Sequence, residues 1–132
     1  MSQNVQVLLQ AAAEVARRAY SPYSKFCVGA AVLTESGEVF TGCNVENASY
    51  GLTVCAERVA VFKAISEGEQ VITAVAISSR GSAYPCGACR QVMNEFGPDM
   101  DVILGDGEGK LSEQLSLKDL LPKAFGPDFK KE

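Results

Sequence analysis

Two short runs hold the residues best suited to chemistry: Cys55-Ala56-Glu57-Arg58 and Pro85-Cys86-Gly87-Ala88-Cys89. Cys86 and Cys89 stand at i and i+3, so on a helix their sulfurs share one face. Both runs fall at predicted helix starts, where free backbone N–H groups and partial positive charge favour thiolates. Three thiolates on zinc leave one tetrahedral position open, which marks a catalytic site rather than a structural one. Water at such a position ionises near neutrality. Three thiolates also leave the centre with net negative charge. Arg58, three residues after Cys55 and on the same helical face, is placed to donate to sulfur and offset it. Arg90 is a second, weaker candidate for that task. Glu57 follows Cys55 by two residues, and on an ideal helix those side chains point apart. The metal must therefore lie over the helix end, where Glu57 can take a proton from water and pass it to a substrate.

The chain has 132 residues, five cysteines and no histidine. Without histidine there is no histidine triad, no His–Cys nucleophile pair and no His-ligated metal. An odd cysteine count with no visible signal peptide argues against a disulfide framework. The formal net charge of −4, with no basic stripe, disfavours nucleic acid and suits a small neutral substrate. Met1 to Asn4 lacks a basic leader, and no apolar run is long enough to span a bilayer, so the expected address is the cytoplasm. The length fits one domain over residues 1–132.

Several elements must position these residues. Val5 to Tyr20 has the spacing of an amphipathic helix. Phe26 to Thr34 and Val39 to Val45 read as a hairpin around Glu35-Ser36-Gly37-Glu38. Val54 to Glu67 reads as a second helix and Val71 to Ser79 as a strand covered on both faces. Cys86 to Phe96 reads as a third helix, Asp101 to Leu104 as a strand, and a weak last strand precedes Leu115. Leu117 to Phe125 reads as a short terminal helix interrupted by Pro122. The order predicts a three-layer α/β/α sandwich around a central mixed five-stranded sheet. A right-handed strand–helix–strand crossover would bring the two cysteine-bearing helix starts to one sheet edge.

The pattern C-A-E, then P-C-x-x-C, resembles the cytidine deaminase family. The three-cysteine form is similar to its small homotetrameric members. Ser21 to Phe26, Gly42 to Tyr50 and Leu120 to Phe125 resemble segments of that family in the same order. The resemblance implies a cytidine deaminase-like fold and zinc on Cys55, Cys86 and Cys89. It implies hydrolytic deamination of cytidine and deoxycytidine to uridine and deoxyuridine in pyrimidine salvage, with Glu57 as proton carrier. Asn44 and Glu46 would hydrogen-bond ribose hydroxyls, and Phe26 would pack on the base. Glu57 and the Ala56 backbone would hold the pyrimidine edge. Ala48, Tyr50 and Phe125 would approach a site on a neighbouring subunit of a homotetramer. The partner implied is a nucleoside, with neither nucleic acid nor membrane.

Blander readings exist. A C-x-x-C can be a redox pair, although here Cys55-Ala56-Glu57 accompanies it. A structural zinc site needs a fourth ligand. Cys27 or Cys43 could supply one, but both read as ordinary buried thiols of the hairpin. A deaminase of another aminopyrimidine fits the metal site equally, and the ribose-reading look of Asn44 to Tyr50 argues against it. Asp106 and Glu108 read as a solvated turn.

Overall fold

The computed structural model describes residues 2–127. Met1 and residues 128–132, included in the single-domain expectation, lie outside the described residues. The strands are β1 (Val28–Thr34), β2 (Val39–Cys43), β3 (Ile72–Ser79), β4 (Asp101–Gly105) and β5 (Leu111–Ser116). The helices are α1 (Ser2–Ala16), α2 (Ala56–Ser66), α3 (Gly87–Phe96) and α4 (Leu117–Leu120), with a single 3₁₀ turn at Tyr50–Leu52.

The five strands form one sheet in the order β2-β1-β3-β4-β5. Only β3 and β4 pair in parallel, with α3 as their crossover. The other three pairings are antiparallel, so the sheet is mixed as expected. Strand alternation divides the apolar residues between two layers. Ala30, Val32, Val75, Ile77, Val102 and Leu104 pack with α2, α3 and α4. Ala31, Ala74, Ala76 and Ile103 face Leu8, Leu9 and Ala12 of α1. The result is the three-layer sandwich, with α1 alone in the thinner outer layer.

Two glycines set how closely the helices approach. A Cβ on Gly29 would stand 1.9 Å from the Ala12 carbonyl oxygen of α1. A Cβ on Gly42 would stand 2.5 Å from the Ala60 amide nitrogen and 2.9 Å from the Ala56 carbonyl oxygen of α2. Both helices therefore rest backbone against backbone on the sheet, and α2 does so in the very turn that follows Cys55.

Two predicted helices end early. The first stops at Ala16 rather than Tyr20, and bonds from Arg17, Arg18 and Ala19 to residues three back tighten its last turn. Tyr20 is drawn out of the helix because its backbone pairs with Asn44 and Glu46, at 3.0 and 2.8 Å. The terminal helix stops at Leu120, not Phe125. Pro122 has no N–H to donate and disfavours helical geometry at Leu121, which adopts φ −143°.

Candidate metal centre and substrate cavity

Cys55 is the N-cap of α2 and Cys86 the N-cap of α3, each in extended backbone, and neither side chain caps its own helix. Their thiols are thereby free to face one another across the two helix ends. Cys55 Sγ lies 3.9 Å from Cys86 Sγ, and Cys86 Sγ lies 3.4 Å from Cys89 Sγ. All three sulfurs fall within 4.8 Å of one another. Tetrahedral zinc with Zn–S near 2.3 Å requires S···S separations of about 3.8 Å, so the spacing fits the ion. The metal position lies over the helix ends, as the two-residue offset of Cys55 and Glu57 demands.

The surroundings are prepared for negative charge on sulfur. Arg58 Nη2 donates to Cys55 Sγ at 3.4 Å. Arg58 Nε is buried and has no acceptor among the described residues, a donor that calls for anionic sulfur nearby. The Cys55 thiol is lowered to about 5, first by a hydrogen bond from Cys89 and further by Arg58 and Cys86. Cys89 is pushed the other way, by its bond to the Cys55 sulfur and by burial. Arg58 is held more firmly protonated by its bond to Cys55.

Glu57, in the first turn of α2, is only 5% exposed. Burial raises its carboxyl to about 7, and the charge on Cys55 adds to that effect. A carboxyl in this state can both hold and release a proton near neutral pH.

A cavity of about 250 Å³ adjoins the cluster. Cys55, Ala56, Glu57 and Cys86 line it together with Phe26, Asn44 and Glu46. Asn44 is buried, its Oδ1 accepting the Val28 N–H at 2.9 Å and its Nδ2 donating to the Phe26 carbonyl at 2.8 Å. Those bonds leave one N–H of Asn44 available. The Glu46 carboxylate accepts from the Tyr23 and Ser24 amides at 2.9 and 3.2 Å, and from the Ser24 hydroxyl. The Arg80 guanidinium sits 5.6 Å from the centre of the Phe26 ring, within cation–π range.

Three predicted substrate contacts fall outside the cavity of their own chain. Ala48 is exposed, Tyr50 is 74% exposed and Phe125 is 85% exposed. Tyr50 instead meets Tyr23 edge-on at 5.8 Å between ring centres. The Phe125 backbone is anchored by Gln91 Nε2 at 2.9 Å and Asn94 Nδ2 at 3.3 Å, while its ring stands in the open.

Two other expectations need correction. Cys27 is not a buried strand thiol; it precedes β1, is exposed and sits 3.2 Å from Ser21 Oγ. Cys43 is half-buried in β2, and neither belongs to the sulfur cluster. Arg90 has no part in the thiolate charge. Its Nε donates to the Pro85 carbonyl at 2.8 Å and its Nη1 to the Leu120 carbonyl at 2.9 Å, tying the approach to α3 to the end of α4. Asp106 does form the expected turn, its Oδ1 accepting the Glu108 and Lys110 amides, both at 2.9 Å.

Sequence reasoning missed Ser24, Ala83 and Tyr84 as lining residues. Ser24 stands two residues before Phe26, and Ala83-Tyr84 directly precedes Pro85-Cys86. That proximity to assigned residues was the available signal.

Known proteins agree with this geometry. Residues 2–105 match the family model described as the cytidine and deoxycytidylate deaminase zinc-binding region. A cytidine deaminase of Halalkalibacterium halodurans is 50% identical over 123 residues, covering 91% of this chain and 92% of the relative. A cytidine deaminase of Mycobacterium tuberculosis is 47% identical over 119 residues, covering 89% and 86%. Among solved structures, the cytidine deaminase from Burkholderia pseudomallei aligns with a TM-score of 0.85 at 49% identity, over 90% of this chain and 97% of that one.

Proposed function

The chain belongs to the zinc-binding cytidine and deoxycytidylate deaminase family, and on that premise we propose that it hydrolyses the ring amine of cytidine and deoxycytidine. The products are uridine or deoxyuridine and ammonia, a step of pyrimidine salvage. The observation that carries this reading is one cavity lined by Cys55, Cys86, the buried Glu57 carboxyl, and the polar pair Asn44 and Glu46. A proton carrier and a sugar-reading pair beside three thiols suit a nucleoside better than a redox pair or a closed structural zinc site.

Cys55, Cys86 and Cys89 would hold zinc, with Arg58 offsetting the charge of the thiolates. When bound, zinc supplies a Lewis acid that brings the ionisation of water into the neutral range. Glu57 accepts the proton that water loses and returns it to the ring nitrogen beside the amine. A second proton passes through the same carboxyl to the amine, which leaves as ammonia. Glu57 and the Ala56 backbone hold the edge of the ring, and Phe26 packs on its face. Asn44 offers its remaining N–H, and Glu46 its remaining lone pair, to sugar hydroxyls.

In our reading Ala48, Tyr50 and Phe125 complete the cavity of a neighbouring subunit in a homotetramer. The support is a phenyl ring 85% exposed on a backbone held by two hydrogen bonds, an unfavourable placement for an isolated chain. We place this single domain of residues 1–132 in the cytoplasm, which suits five cysteines that are all free thiols. No helix among the described residues is long and apolar enough to cross a membrane.

The deciding experiment follows the fall of cytidine absorbance with zinc-loaded protein and identifies uridine and ammonia. Stoichiometric conversion is the expected result. No conversion by folded protein carrying one zinc per chain would reject the assignment.

A further inference from the structure

Ser24 belongs to none of the roles assigned so far, yet its hydroxyl joins two residues of the cavity. The Glu46 carboxylate can only accept, so the single hydroxyl hydrogen of Ser24 goes to Glu46 Oε2. The same oxygen accepts the Phe26 N–H at 3.0 Å. The amides of Tyr23 and Ser24 hold the other carboxylate oxygen, Oε1, at 2.9 and 3.2 Å. Three donors from one short loop thus occupy most of the roughly four lone-pair sites of the carboxylate.

The loop is itself held in a particular shape. Lys25 has φ +61°, the left-handed region that side chains other than Asn or Asp seldom adopt. Its amide closes the turn on the Ser21 carbonyl at 3.0 Å. On both sides of this strained residue the Ser24 hydroxyl makes a bond, back to Glu46 and forward to Phe26. The hydrogen bond from Ser24 is also the foremost reason that the Glu46 carboxyl stays below its ordinary value.

We infer that Ser24 is a positioning residue that sets sugar discrimination, fixing the Glu46 carboxylate so that its one free lone pair meets a ribose hydroxyl, while seating Phe26 against the base. The inference rests on the reading of Glu46 as a sugar contact. It assigns Ser24 no contact with the reacting atoms. Its effect belongs in substrate binding, carried by KM, because the Glu46–hydroxyl contact is the same in ground and transition states.

The test compares cytidine with 2′,3′-dideoxycytidine, which lacks both hydroxyls that Glu46 and Asn44 can read. Wild-type zinc-loaded protein should prefer cytidine. In Ser24→Ala the ratio of kcat/KM between the two substrates should fall about tenfold, the value of one charge-assisted hydrogen bond. The change should appear mainly as a higher KM for cytidine at unchanged zinc content. Ser24→Thr, which keeps the hydroxyl, should restore most of the ratio. In a Glu46→Gln background, Ser24→Ala should alter the ratio less than twofold, since residues acting through one contact are not additive. Equal losses on both substrates in Ser24→Ala, with additivity toward Glu46→Gln, would overturn the inference and leave the sugar contact standing. Wild-type protein that deaminates both substrates equally would overturn the sugar contact and the inference together.

Discussion

Replacing Gly42 by alanine tests whether the sheet sets the geometry of the metal centre. Gly42 sits in β2 opposite Ala30, beneath the first turn of α2. Its new methyl group would meet the Ala60 nitrogen at 2.5 Å, the Ala56 oxygen at 2.9 Å and Val59 Cβ at 2.9 Å. Two of these are backbone atoms, so no rotamer change relieves the clash. To reach ordinary contact near 3.4 Å, the start of α2 must move outward by about 0.9 Å. Overpacking of this kind costs roughly 1–3 kcal/mol, or about 3–10 °C in Tm for a domain of this size. The shift also carries Cys55 and Glu57 away from Cys86, whose sulfur now lies 3.9 Å from that of Cys55. Misplacement of catalytic groups by about 1 Å costs on the order of a hundredfold in rate. The assay is thermal denaturation of Gly42→Ala together with kcat/KM on cytidine and zinc content per chain. Loss of several degrees with kcat/KM within twofold of wild type would refute the link between helix seating and the site. An unchanged Tm would refute the packing argument itself.

Three other substitutions address single roles. Glu57→Gln leaves the sulfurs untouched, so zinc content should stay at one per chain while kcat falls by roughly 10²–10⁴; equal turnover would remove Glu57 as the proton carrier. Arg58→Ala deletes the donor to Cys55 Sγ and should lower kcat/KM about ten- to a hundredfold, which steady-state kinetics on zinc-loaded protein would check. Phe125→Ala removes a ring that is 85% exposed in its own chain, so circular dichroism should be unchanged while kcat/KM falls about tenfold or more. A fully active variant would show that the ring completes no pocket.

The metal ligands were legible because their geometry is local. Cysteines at the starts of two alanine- or polar-rich helical runs, on either side of an apolar strand, leave little freedom once the crossover between β3 and β4 is right-handed. The apolar run Ile72–Ser79 likewise announced a strand between two layers, and it is buried at every position but Thr73. What escaped reading depends on partners distant in the chain. Arg90 looked like a companion of the neighbouring thiolates, but its Nη1 bonds to Leu120, 30 residues on. Tyr20 looked helical until its backbone is seen pairing across to Asn44 and Glu46. Cys27 looked like a core thiol because its neighbours are apolar, but β1 begins one residue later and leaves it outside. The Ser24–Glu46 bond spans 22 residues, and no local pattern marks such a pair.

The metal site also has a consequence for folding that is separate from catalysis. Cys55 and Cys86 stand 31 residues apart, and the chain between them forms α2, β3 and the loop before α3. An ion bridging those sulfurs closes that stretch into a ring, as a cross-link would. By loop-closure entropy such a tie disfavours the unfolded chain by about 3–4 kcal/mol, a large part of the total stability of an ordinary domain. Selection for turnover and selection for a durable fold therefore act on the same cysteines. Drift at a ligand loses both at once, whereas drift at Glu57 silences the enzyme and leaves the tether in place.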